Sequence, residues 1–120
     1  MLLWFLFDDV RLGEARSQLI NSTANIVYVS AVTGFKITNK IRIGKLQEAK
    51  AFVADLEQVC VRHSFKLMPL SFNHCYLAGS IQSPHRDPFD RMLAAQSIIE
   101  AMPIITINTQ IRDLGAEVVW

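Results

Sequence analysis

Residues Ser83–Met102 read SPHRDPFDRMLAAQSIIEAM, and the helix start inside that stretch sets the reading of the whole chain. Asp87 is of the residue type that caps helix N-termini, and Pro88 has the fixed φ that suits a first helical position. Asp90 adds an acid to the first turn, where the helix dipole favours negative charge. Phe89, Met92, Leu93, Ile98 and Ile99 recur at helical spacing, which predicts an apolar stripe turned toward a core. Asp90 lies instead above Ala94 and Ser97, a row of small side chains that lets the helix sit close to a neighbour. An acid held there is presented to the edge of the neighbouring layer. From the residues alone, Asp87 and Asp90 are either dipole-complementing caps or the acidic part of a site.

Outward from this helix the chain alternates between strand and helix signals. Ile26–Val29 (IVYV) is β-branched and aromatic, a short strand. Ser30 then caps a helix over about Ala31–Ile43, with Lys40 and Arg42 in its last turn and Gly44 at its stop. A second helix is predicted over Gln47–Arg62, a strand over Phe65–Leu70 (FKLMPL) cut short by Pro69, and a short helix over Phe72–Ala78. Downstream, Pro103–Ile107 (PIITI) and Ala116–Trp120 (AEVVW) are strands, and Leu12–Ile20 is a short amphipathic helix near the start. This alternation implies an α/β fold, a parallel sheet with helices on both faces, in a single domain over residues 1–120. Ligands of such sheets gather at the carboxyl ends of the strands. Ser30, Thr33 and Ile107–Gln110 are expected at that edge together with Asp87 and Asp90.

The composition narrows the classes. The chain has 120 residues, 51% of them hydrophobic and 19% charged, with a net charge of +1. That is a globular composition with no overall nucleic-acid signal. Yet no acid falls between Glu14 and Glu48, while Arg16, Lys36, Lys40, Arg42 and Lys45 do, which implies a local basic surface. Cys60 and Cys75 form no CxxC pair and read as buried free thiols of a reducing, cytoplasmic compartment. His63, His74 and His85 are scattered and complete no zinc site. Met1–Phe7 (MLLWFLF) is far short of the roughly 20 residues that cross a bilayer, so no membrane association is expected. Its abrupt apolar start raises the expectation of a segment upstream of Met1. No Walker loop, GxGxxG or GxSxG is present, which removes support for a nucleotide site or a serine hydrolase.

The segments VYVSAVTGFKITNKIRIGKL, SPHRDPFDRMLAAQ and GAEVVW resemble the PIN-domain toxins of VapC type, in the family's order and at its spacing. LLWFLFDDVRL resembles that family's first helix and the loop behind it. The resemblance implies a three-layer α/β sandwich and Mg²⁺- or Mn²⁺-dependent cleavage of RNA, restrained by a cognate antitoxin protein; a homo-oligomer is expected separately, from the sheet edges considered below. It makes Asp90, with Asp87 beside it, the expected catalytic and metal-binding residues, and Lys40, Arg86 and Arg91 candidates for RNA contact. Three further acidic positions of the family are changed or absent. Phe35, Lys36 and Ile37 stand in place of a WEI-like triplet, so Lys36 replaces a glutamate. Asn108 replaces an aspartate. The strand ending in aspartate that begins such domains is expected to be missing from the centre of the sheet.

Two structural expectations follow. Lys36 is expected either to reach Asp90 as an ion pair in place of a metal, or to swing out beside Lys40. A missing central strand would leave backbone groups of its neighbours unpaired and promote oligomerisation or poor solubility. Otherwise the chain begins upstream or Met1–Phe7 takes a different role. Functionally, the resemblance implies a metal-dependent endoribonuclease with impaired catalysis. The alternatives are a non-catalytic toxin homologue that binds antitoxin or RNA, and an interaction module whose acids are only caps.

Overall fold

The computed structural model describes residues 3–7, 25–44, 65–106 and 108–119. Five strands form one sheet: β1 (Leu3–Phe7), β2 (Asn25–Ser30), β3 (Lys66–Met68), β4 (Ile104–Ile105) and β5 (Val118–Val119). Their spatial order is β3-β2-β1-β4-β5, and every pairing is parallel. The register sets Phe7 beside Val29 on one side and beside Ile105 on the other. The centre of the sheet is therefore filled, which corrects the expectation of a missing strand. Leu3–Phe7 takes the place of that strand rather than forming a helix. The chain steps outward from β1 through β2 to β3, then crosses back to β4 and β5. This reversal puts a topological switch point between β1 and β4, where open α/β sheets form their binding crevice.

Three helices are described: α1 (Ala31–Arg42), α2 (Phe72–Ser80) and α3 (Pro88–Glu100). Each begins at the residue the sequence marks. Ser30 Oγ caps α1 by accepting from Val32 N–H, and Asp87 caps α3 by accepting from Phe89 and Asp90 N–H. Gly44 stands at φ +84° just past α1, a conformation that suits a residue without Cβ. At α2, Ser71 and His74 make a reciprocal capping box. Ser71 Oγ accepts from His74 N–H, and His74 Nδ1 accepts from Ser71 N–H. Since Nδ1 accepts, the ring carries its proton on Nε2, which donates to Glu100 Oε1 at 3.0 Å and ties α2 to the end of α3. The predicted helices over 12–20 and 47–62 lie outside the described residues, as do Cys60 and His63.

The core joins α3 to the sheet and to the C-terminal segment: Val32, Met68, Leu93, Ala94, Met102, Ile104, Ile111, Leu114, Ala116 and Val118. The buried face of α3 is Asp90, Leu93, Ala94, Ala95, Gln96 and Ser97. Ile98 and Ile99 are exposed, contrary to the stripe expected from spacing. The small residues decide this, because Ala94 and Ser97 let α3 approach more closely than a stripe of isoleucines would. Cys75 is exposed rather than buried. Gln96 is fully buried and satisfied, accepting from Ser30 Oγ at 2.5 Å and donating to Pro69 O at 3.4 Å. The chain leaves α3 through Ala101 at φ 55°, and Ser97 holds the turn by bonding Met102 O. No described helix is long and apolar enough to cross a membrane.

Candidate active site at the start of the third helix

Asp90 sits in the first turn of α3 with 3% of its surface exposed. Two donors converge on one of its oxygens. His85 Nε2 lies 2.9 Å from Oδ2, and Asn108 Nδ2 donates to the same Oδ2 at 2.9 Å. Oδ1 is buried and has no hydrogen-bond partner among the described residues. A carboxylate oxygen buried in that state costs free energy until a cation or a water reaches it. Asp87, three residues earlier, is exposed and spends Oδ1 on the two N–H groups it caps.

Asn108 arrives from a different element. It follows β4 at the carboxyl edge and caps the 3₁₀ helix Thr109–Leu114, accepting from Gln110 N–H at 3.3 Å through Oδ1. With Oδ1 accepting, the amide must turn Nδ2 toward Asp90, so both of its ends are fixed by the network. An aspartate here could still cap but could not donate to Asp90. The amide is therefore matched to a neighbouring carboxylate oxygen that accepts its N–H. The sheet places this pairing beside the switch point, since Asn108 lies just beyond β4.

His85 is held by its own supports. Its N–H bonds Ser83 Oγ at 3.2 Å, and its carbonyl accepts from Arg91 at 2.7 Å. The Arg91 guanidinium also donates to the carbonyls of Ala78, Ser83 and Ile81. Arg91 was a candidate for RNA contact, but it is a clamp: its donors face the loop between α2 and α3 and fix His85 over Asp90. His85 is the residue that sequence reading missed. It lies five positions before Asp90, across a helix cap that folds the chain back, and that short reversal was the available signal.

The remaining candidates are placed elsewhere. The expected Lys36–Asp90 ion pair is not formed, because the partners of the Asp90 carboxylate are His85 and Asn108. Lys36 is half-buried on α1, and Lys40 and Arg86 are exposed. Ser30 and Thr33 are buried; the Ser30 hydroxyl is committed to the α1 cap and to Gln96, well down α3 from Asp90. The start of α1 nonetheless approaches the site, since Phe35, which precedes Lys36, packs on Phe89, which precedes Asp90, with centroids 5.3 Å apart. Among the described residues no three His, Cys, Asp or Glu side chains converge as a metal cluster. A cavity of about 450 Å³ lies beside His85, lined by Gln82, Ser83, Pro84, Gln110 and Asp113. A larger one of about 720 Å³, lined by Tyr28, Met68, His74, Glu100 and Pro103 among others, includes none of the Asp90 network.

A sheet of this order, with an acid at the start of α3 facing the loop after β4, defines an α/β domain whose binding edge is the carboxyl edge. The chain belongs to the PIN-domain family, whose profile matches residues 1–117. It is similar in fold to the chain in a structure of FitAB bound to an IR36 DNA fragment, with a TM-score of 0.67 and 16% identity, covering 96% of this chain and 93% of that one. It is likewise similar to a chain of VapBC2 from Rickettsia felis, crystallised with a DNA fragment from the promoter. There the TM-score is 0.69 at 14% identity, covering 100% of this chain and 99% of that one. No curated protein matches the chain.

Proposed function

We propose that this protein is a VapC-type PIN-domain homologue whose endoribonuclease site is reduced to the Asp90 network, and that it cleaves RNA slowly at best. The observation that carries this reading is Asp90 itself: a buried carboxylate, where the sequence resemblance puts one of the family's acids, with one oxygen saturated and the other unpaired. A divalent ion at such a site, Mg²⁺ or Mn²⁺, supplies charge stabilisation and an acidified water for attack on a phosphodiester. The described residues fit one attachment, through Asp90 Oδ1, with His85 and Asn108 orienting the carboxylate. They supply less summed negative charge than a hard ion usually needs. Asp87, exposed and half committed as a cap, is the nearest acid in sequence that can add to it. Asp8 and Asp9 follow β1 in sequence, outside the described residues, and belong in any mutational test of the acid count.

RNA would meet the exposed cations Lys40 and Arg86, and a cognate antitoxin would be the protein partner. The toxin–antitoxin complexes of the similar structures support that second expectation. Self-association is part of the proposal, supported by the exposed, stacked Phe72 and Tyr76 of α2. A cytoplasmic location accords with this partner set. The second reading, a non-catalytic module that binds antitoxin or RNA, is favoured by the amide at Asn108 in place of an acid. RNA cleavage with Mn²⁺ separates the two. Slow cleavage lost in Asp90→Asn supports the nuclease, whereas antitoxin binding without any cleavage supports the module.

A further inference from the structure

We infer that Phe35, braced by Phe89, is a stacking platform for an unpaired base of single-stranded RNA, and that it fixes where the strand lies beside Asp90. The inference rests on the RNA-directed reading above and deepens it by assigning the residue that holds the strand. α1 buries Val32, Thr33 and Ile37, while Phe35 stays 55% exposed. A phenyl ring left in water to that extent contributes little to the core. The ring rests against Phe89, with centroids 5.3 Å apart and planes inclined by 34°. A neighbour at that distance covers one side of a ring and leaves the other for a planar ligand. Phe89 is itself packed against the core, and its N–H is held by Asp87. The platform is therefore anchored one residue from Asp90.

The charge around it suits a nucleic acid. α1 reads AVTGFKITNKIR, with Lys36, Lys40 and Arg42 and no acid, and the acid-free interval runs from Glu14 to Glu48. Lys40 and Arg42 are exposed, and Asn39 Oδ1 accepts from the Arg42 guanidinium at 2.7 Å, which orients it. Cations for the phosphates and an aromatic face for the base are the two contacts by which proteins hold single strands. Asp87, the exposed acid at the start of α3, turns Oδ1 to the N–H groups it caps, which offsets its charge. The other exposed aromatic pair, Phe72 and Tyr76, lies on α2, which carries no Lys or Arg and so lacks this attraction for phosphate. A duplex keeps its bases stacked on one another, so the platform selects single strands.

The test is binding of the full chain to a single-stranded RNA of about ten nucleotides, carrying a fluorescent purine analogue at each position in turn. A chelator is present throughout, so that neither metal nor cleavage intervenes. Quenching of the analogue by stacking is expected at one or two positions. Phe35→Leu, which keeps an apolar contact with Phe89, is expected to lose the quenching and to bind at least about fivefold more weakly. Phe35→Trp is expected to retain both. Unchanged affinity and quenching in Phe35→Leu would overturn the inference. So would equal losses in the two variants, which would make the side chain's shape rather than its aromatic face decisive, or a duplex of the same sequence bound as tightly as the single strand. Each of these results leaves the nuclease reading standing. Absence of RNA binding by the unmodified chain would overturn both, and RNA cleavage that survives Asp90→Asn would defeat the nuclease reading alone.

Discussion

Asp90 shows how one residue's state is set by groups far from it in sequence. Its place in the first turn of α3 is local and legible, because Asp87 and Pro88 announce the helix start. Its partners are not. Asn108 reaches it from beyond β4, eighteen positions away, and His85 through a loop held by Arg91. Single-sequence patterns do not report such convergence, which is why Arg91 reads as a surface cation when it is a clamp. Arg91→Ala is expected to lower stability by about 2–3 kcal/mol, given its charge-assisted bonds to backbone carbonyls, with urea denaturation as the measure. Asn108→Asp brings a second carboxylate against Asp90 and removes a donor. The metal-free variant is expected to lose about 1–2 kcal/mol, and Mn²⁺ is expected to raise its melting temperature more than that of the unmodified chain.

Among the elements, helix boundaries were legible because caps are local chemistry: Ser30, Asp87 and Gly44 all stand where their types predict. The buried face of α3 was not, because the choice between its apolar stripe and its small-residue row is made by what packs against it. Leu93, Ala94 and Ser97 go inside, and Ile98 and Ile99 remain outside. The two ends of α3 give opposite expectations. Asp87→Ala removes the acceptor for Phe89 and Asp90 N–H and is expected to cost about 1 kcal/mol. Ala101 at φ 55° carries a Cβ in the left-handed region, so Ala101→Gly is expected to gain about 0.5–1 kcal/mol. Thermal melts of both variants check the pair.

At the scale of the molecule, the parallel α/β class followed from the alternation of strands and helices, but the role of the first residues did not. Met1–Phe7 is an apolar run without a period of its own, equally suited to a helix or a fully buried strand. Pairing partners decide it: β2 on one side and β4 on the other accept Leu3–Phe7 as the central strand. With the centre filled and both edge strands only two or three residues long, the sheet offers little edge for aggregation. Deleting residues 1–7 would separate β2 from β4, and the deletion is expected to abolish a cooperative melt. An unchanged melt would show that the strand is dispensable.

The central claim is that the fold is a PIN-domain nuclease fold whose chemistry is limited by lost acidic charge around Asp90. The most direct measurement is the rate of RNA cleavage with Mn²⁺ by the unmodified chain and by a Lys36→Glu, Asn108→Asp form. The expected result is a rise of at least about tenfold in the restored form, equivalent to about 1.4 kcal/mol of transition-state stabilisation, abolished by adding Asp90→Asn. Equal rates in the two forms, or a rise that survives Asp90→Asn, would contradict it.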